Sequence, residues 1–270
     1  MLACAEQNLE GLAGTAPEQI QNWILVEYSK GWSERVNLDT IDVSAKLKQK
    51  LQLKMKKEGW KILLIRKPKS SGSLIYWSSR AGIFQAEQTG DWSWEPEDSA
   101  WKRVSHPLIL VCTHGKRDQC CGIRGGQVFS ALHARKPDWV WQSSHLGGHR
   151  FAPTLLTLPD GMMYGRVPVE ESEELVDYLA RGEQWHIEYR RGSTRLLQWQ
   201  QVLQMWLEEE DLYGEVFLDI RRQRAYIDTG DVTYGVEISY QVLGTCIPSC
   251  GDKKTKEIGE WVVTGIETID

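Results

Sequence analysis

The sequence predicts an α/β fold of the α+β sandwich kind, on two observations. Short apolar, β-branched runs alternate with amphipathic stretches, and the order strand, helix, strand, paired strands occurs twice along the chain. A chain of 270 residues with 41% hydrophobic and 26% charged residues is long enough, and ordinary enough in composition, to bury a sizeable core.

The elements follow in order. WILVEY (23–28) is apolar, β-branched and aromatic, which reads as a buried strand. SAKLKQKLQLKMKKEG (44–59) opens on Ser44, suited to an N-cap, and closes on Gly59, suited to a C-cap. Leu47, Leu51 and Met55 recur four apart among lysines, so the stretch is an amphipathic helix. Its basic face is a solvated surface or, on a sharper reading, a dock for an acidic partner. WKILLIRK (60–67), LIYWSS (74–79) and GIFQAEQ (82–88) read as strands, and the polar, proline-bearing stretch 89–101 as a connection. The pattern then restarts with LILVCTH (108–114) as a strand, a helix over 118–135 and VWQSSH (140–145) as a strand. A hairpin over 154–167 turns at Pro159-Asp160-Gly161, and EESEELVDYLARG (170–182) is a helix with acids in its first turn.

That second unit has the element order of a thioredoxin-like domain, and the first reads as a degenerate copy. The domain reading is therefore an N-terminal α/β unit over 1–104 and a thioredoxin-like unit over 105–190. The segment 191–270 is a C-terminal helix (195–210) with strands AYIDT, YGVEISYQVLG and EWVVTGIE packing on the core.

Composition excludes some functions. A net charge of −5 argues against nucleic-acid binding, which needs a basic balance or patch. No apolar run approaches the roughly 18 residues that cross a membrane. The opening MLACAEQNLEGLAG lacks the basic-then-apolar pattern of a secretory leader. The expected compartment is the cytoplasm, where six cysteines are metal ligands or redox groups before they are disulfides. Most of the thirteen tryptophans read as packing.

The chemistry-bearing residues are scattered. Cys112 ends the first strand of the second unit, Cys120 and Cys121 open its helix, and His145 and His149 follow its next strand in SSHLGGHR. Gly147 and Gly148 argue against a helix there and for a loop that approaches something closely. In a thioredoxin-like arrangement these positions meet at one sheet edge, so two or three thiols and two imidazoles come together. Thiolates at a helix N-terminus gain from its dipole, and sulfur with imidazole suits zinc, copper or iron. The spacing C-x₈-C is wider than a zinc finger's cysteine pair and suits a larger object. Two cysteines and two histidines form the ligand set of a Rieske-type [2Fe–2S] centre.

CTHGKRDQCCGIRG (112–125), HLGGH (145–149) and FAPTLLTLPDGMMYGRV (151–167) resemble the sucrase/ferredoxin-like family, and CAEQNLEGLAGTAP (4–17) resembles its opening segment. The resemblance implies a thioredoxin-like ferredoxin domain with Cys112, Cys121, His145 and His149 as ligands of one [2Fe–2S] cluster. It also implies an electron carrier that meets redox partner proteins, a reductase and an acceptor, rather than an enzyme with its own substrate. A glycosidase would need a positioned carboxylate pair, and none is identified. Cys120 is the rival of Cys121 and otherwise a packed thiol beside the cluster. His114 is close enough to be a ligand but is expected to hydrogen-bond or cap, and Arg117, Asp118 and Arg124 either form a local ion-pair cluster around the loop or simply solvate it. Cys246 and Cys250, in a turn remote from the first set, read as incidental or weakly redox-active rather than as a metal site, and Cys4 as packed or exposed. Pro153 is open to the cis bond that thioredoxin-like folds often show, although Ala–Pro is usually trans. The alternatives are a zinc-binding structural or interaction protein on the same ligands, and a thiol oxidoreductase, for which the C-x-x-C motif is lacking.

Overall fold

Side chains alternate across a strand, and in this chain both faces of most central strands are apolar, so the sheet has to be covered on both sides. The computed structural model describes residues 4–269 other than 9, 40, 251 and 253. Residues 1–3 and 9 of the opening segment, and Gly251 at the end of the TCIPSCG turn, lie outside the described residues.

After a one-turn helix α1 (Cys4–Gln7), the first unit runs β1 (Asn22–Glu27), α2 (Ala45–Met55), β2 (Trp60–Arg66) and the hairpin β3 (Leu74–Ser79) with β4 (Gly82–Glu87). A short β5 (Lys102–Val104) leads into the second unit: β6 (Leu108–Cys112), α3 (Gln119–Arg135), β7 (Val140–Ser143), the hairpin β8 (Leu155–Leu158) with β9 (Met162–Tyr164), and α4 (Glu174–Ala180). In each unit the first strand pairs parallel with the second and antiparallel with the third, and the third pairs with the fourth. The degenerate copy is therefore real in topology. Equivalent strands β2 and β7 join antiparallel, Ile65 opposite Ser143, so a pseudo-two-fold axis normal to the sheet relates the units. With β10 (Arg190–Ser193) the sheet has ten strands, ordered β10-β9-β8-β6-β7-β2-β1-β3-β4-β5.

One face carries two local cores. Ile24, Val26 and Ile75 lie under Leu47 and Leu51 of α2. Ile109, Val111 and Val140 lie under Val128 and Leu132 of α3 and Leu175 of α4. The alternate residues Trp23, Leu25, Leu108, Leu110 and Trp141 form a single core on the other face, running across both units under Cys4, Ala16 and Ile20. The rest of the chain is α5 (Gln198–Glu209) and an antiparallel meander of β11 (Glu215–Asp219), β12 (Arg224–Asp228), β13 (Thr233–Cys246) and β14 (Lys256–Ile269). Trp199 and Leu203 of α5 pack with Ile227 and Val236 of that sheet.

Several expectations change. Met55 is exposed, because α2 ends there, and only Leu47 and Leu51 face the core. Part of the basic face of α2 packs on tryptophans: Lys50 Nζ lies 3.8 Å from the Trp92 ring and Lys54 Nζ 4.2 Å from that of Trp60. The strands at 108 and 140 stop at Cys112 and Ser143, where the chain turns away, and the helix expected over 170–182 is helical only from 174 to 180. Both Ala152–Pro153 and Leu158–Pro159 are cis.

Gly125 sets the distance between helix and sheet. A Cβ there would overlap the Cys112 carbonyl, whereas one at Gly126 would meet nothing within 4 Å. Gly125→Ala should cost about 2–3 kcal/mol by forcing α3 off β6, while Gly126→Ala should gain about 0.5–1 kcal/mol as an ordinary helix substitution. Urea unfolding midpoints of the two variants check the contrast.

Candidate functional site

Three connections converge beside the C-terminal end of β6. Cys112 is its last residue, with its N–H donating to the Thr154 carbonyl at 3.0 Å. The loop 113–118 folds back so that Asp118 caps α3, its Oδ1 accepting the Cys120 N–H at 2.9 Å. That places Cys120 and Cys121 in the first helical turn, where their side chains diverge. The loop after β7 is pinned to the first unit, because Ser144 donates its N–H to the Leu64 carbonyl and accepts the Leu64 N–H on its hydroxyl. Gly147 and Gly148 have φ of +95° and +70°, the left-handed region that only glycine enters freely, and they turn the chain so that His149 comes back over His145.

One ligand atom each from Cys112, Cys121 and His145 lie within 4.8 Å of one another, and both cysteines are fully buried. His149 stands next to this group, its Nδ1 3.4 Å from His145 Nε2 and the ring centroids 5.2 Å apart. The contact between the two thiols shifts them in opposite directions. Cys112 is held well below the usual thiol range by the hydrogen bond from Cys121 and, against its burial, by His145. Cys121 is pushed up by the same bond and by burial. Burial lowers His149 toward the neutral form, against the opposing charge of Asp118.

Arg191 closes the site from behind. It is buried, and its guanidinium donates to the Thr15 hydroxyl (3.1 Å), the Thr15 carbonyl and the Gly147 carbonyl (3.1 Å). A Cβ on Gly148 would collide with that guanidinium. Among the described residues no carboxylate pairs with Arg191. Burial works against its charge, and the Cys121 and Cys112 sulfurs favour it. Among the described residues, the hydroxyls of Thr113, Ser143 and Thr154, and His145 Nδ1, are buried without a hydrogen-bond partner. Ser143 sits beside Cys112 in the parallel register.

The neighbouring residues sort differently from expectation. His114 does hydrogen-bond: its Nε2 meets the Ser33 carbonyl at 2.9 Å, with the ring edge-on to Trp32. Arg117 and Arg124 do not form one cluster with Asp118; they pair with Glu34 and Glu6. Asp118 instead accepts the Ser249 hydroxyl and the Cys250 N–H. Cys250 is not remote. It lies against Cys120 and Cys4, and Cys4 is buried rather than exposed. No sequence pattern joins these three positions, which are up to 246 residues apart. Arg191 was also missed, because an arginine pair in RRGS does not look like a buried strand.

These features define a thioredoxin-like α/β protein with a buried Cys/His group able to hold metal. The sucrase/ferredoxin-like family model matches residues 12–192, and the chain belongs to that family. Two similar proteins are both named altered inheritance of mitochondria protein 32. The one from Meyerozyma guilliermondii is 31% identical over 84 residues, 27% of this chain and 30% of its own length. The one from Debaryomyces hansenii is 32% identical over 114 residues, 38% and 42%. The chain thus matches less than half the length of either relative. Among solved structures it is similar to a thioredoxin-like [2Fe–2S] ferredoxin from Aquifex aeolicus at 19% identity, covering 32% of this chain and 91% of that one, with a TM-score of 0.28. A cysteine-to-serine variant of that ferredoxin matches at 19%, 31% and 96%, with a TM-score of 0.27. Among the described residues, no helix is long and apolar enough to cross a membrane.

Arg191→Met should strand the Thr15 and Gly147 carbonyls and cost about 3 kcal/mol. Arg191→Lys should not restore stability, since one ammonium cannot reproduce the forked contacts. Chemical unfolding of both variants checks this.

Proposed function

We propose that the chain is an electron-transfer protein holding one [2Fe–2S] cluster through Cys112, Cys121, His145 and His149. The observation that carries the reading is the buried convergence of two thiols and an imidazole, with a second imidazole set beside them. His149, 3.4 Å from His145, brings the donors to two sulfurs and two imidazoles, the ligand set of a Rieske-type [2Fe–2S] centre. The unpartnered hydroxyls and the buried Arg191 guanidinium also fit an acceptor-rich, anionic guest.

Bound there, such a cluster would accept and release single electrons, at a potential raised from roughly −400 mV toward −150 mV or above by its two imidazole ligands. The protein's part is to set that environment. Cys112 and Cys121 supply the negative charge, and His145 and His149 bring ligand nitrogens without adding any. Each imidazole keeps a second nitrogen that can hold a proton, which would couple protonation to reduction. Gly147 and Gly148 let the backbone come close, and Arg191 offsets negative charge from behind.

His145 also lines a cavity of about 380 Å³ together with Trp60, His114 and Arg117, an opening through which a redox partner can approach. Such partners, a reductase and an acceptor, would dock through small, transient interfaces. The six cysteines are all free, which suits a reducing compartment such as the cytoplasm.

Protein purified without air is expected to carry about two irons and two sulfides per chain and to absorb broadly in the visible. Cys112→Ser and Cys121→Ser should each cut iron at least tenfold, whereas Cys120→Ser should leave iron and colour in place. Colourless protein with stoichiometric zinc in Cys112 and its partners, unchanged by cluster reconstitution, would contradict the proposal. Reversible Cys112–Cys121 disulfide chemistry without iron would favour a thiol oxidoreductase instead.

A further inference from the structure

Three thiols from distant parts of the chain meet on the outer side of the first turn of α3. Cys4 comes from α1, Cys120 from α3 and Cys250 from the turn between β13 and β14. The Sγ separations are 3.6 Å (Cys4 to Cys120), 3.3 Å (Cys120 to Cys250) and 3.4 Å (Cys250 to Cys4). Both carboxylate oxygens of Asp118 lie 3.8 Å from Cys4 Sγ. Cys4, Cys120 and Asp118 are buried and Cys250 is half-buried.

No pair among the three is bonded, and a disulfide between any two would leave the third sulfur unmatched. Hydrogen bonding explains the cluster poorly, because a thiol is a weak donor and a weak acceptor. The triangle has the size that a single ion requires. With Zn–S near 2.3 Å, tetrahedral sulfur ligands sit about 3.8 Å apart, and a modest spread of the three sulfurs admits the ion. Each iron of a [2Fe–2S] cluster takes only two protein ligands, so three sulfurs gathered at one point do not suit one.

We infer that Cys4, Cys120 and Cys250 hold one zinc ion, with Asp118 as the fourth, oxygen donor. The site is separate from the Cys112–Cys121–His145–His149 group and does not depend on what that group binds. Three thiolates select zinc or copper(I). The carboxylate beside them completes four donors in a largely closed setting, which is the form of a structural zinc site. Binding releases the three thiol protons to solvent as the sulfurs become ligands. Asp118 is held for this role by the Cys120 N–H, the Cys250 N–H and the Ser249 hydroxyl, which fix its carboxylate against the thiols.

The ion would tie three separate segments together. It clamps the N-terminal turn and the β13–β14 turn onto the start of α3. The same β13–β14 turn carries Pro248, whose carbonyl meets the His149 ring. Cys120 and Cys121 thereby take opposite duties, one facing the outer thiols and the other facing Cys112.

The test is zinc analysis and zinc-edge X-ray absorption on the full chain, with zinc affinity measured by competition against 4-(2-pyridylazo)resorcinol. The expected result is about one zinc per chain, with three sulfurs near 2.3 Å and one oxygen. Cys4→Ser and Cys250→Ser should each weaken zinc binding by roughly 100-fold, while Cys112→Ser leaves it unchanged. Zinc following Cys4 and Cys250, and iron following Cys112, keep this inference distinguishable from the cluster reading, so either can fail alone. Four results would overturn it: no zinc and none taken up on titration, zinc with two sulfur and two nitrogen ligands that is lost in Cys112→Ser, copper(I) in its place, or a disulfide between two of the three cysteines. The measurements on the unsubstituted chain stand whether or not a variant folds.

Discussion

The approach of α3 to the end of β6 sets almost everything else about the site. Gly125 lets the helix rest on the Cys112 carbonyl, and Asp118 starts the helix at the residue that places Cys121 opposite Cys112. Both thiols are then sealed from water, where Cys112 is met by Cys121, by His145 and by the Leu146 N–H. Were the helix held further away, the pair would separate and the cysteines would become ordinary core residues. A close packing contact is therefore the origin of the chemistry.

The first unit is a support for the second as well as its topological twin. Because β2 pairs with β7, Leu64 is placed to grip Ser144 at the root of the histidine loop. The connection after β1 brings Ser33 to His114 and Glu34 to Arg117 on the outer side of the Cys112 loop. On the opposite side, Glu10 pairs with Arg150 next to His149, and Arg191 ties Thr15 to Gly147. Leu64, Glu10 and Arg191 thus brace the eight-residue histidine loop, while Ser33 and Glu34 brace the Cys112 loop beside it. That is how a glycine-rich segment, costly to order, becomes rigid enough to present two imidazoles.

Much of this was legible in the sequence because apolar periodicity is a local signal. WILVEY and LILVCTH are strands for the reason they look like strands, and the double strand-helix-strand-hairpin order sufficed for the fold class. Legibility fails where polar residues are buried by bonding rather than by hydrophobicity. RRGS forms β10 because Arg190 is satisfied by Glu208 and the Trp185 carbonyl, and Arg191 by Thr15 and Gly147. EVFLD forms β11 with its side chains largely exposed, so it lacked the alternation that marks a half-buried strand. At the site, the C-x₈-C and H-x₃-H spacings sit within one unit and were readable. The Cys4–Cys120–Cys250 triangle joins segments 116 to 246 residues apart, which no local pattern encodes.

The central claim is that two cysteines and two histidines of this chain share one [2Fe–2S] cluster. Its most direct test is pulsed electron paramagnetic resonance of the dithionite-reduced protein, prepared with natural-abundance and with ¹⁵N-labelled histidine. The account predicts a spin-½ iron signal with strong couplings to two histidine nitrogens, one of which is lost in each of His145→Cys and His149→Cys. A reduced signal without nitrogen couplings, or with the same couplings in both variants, would contradict it.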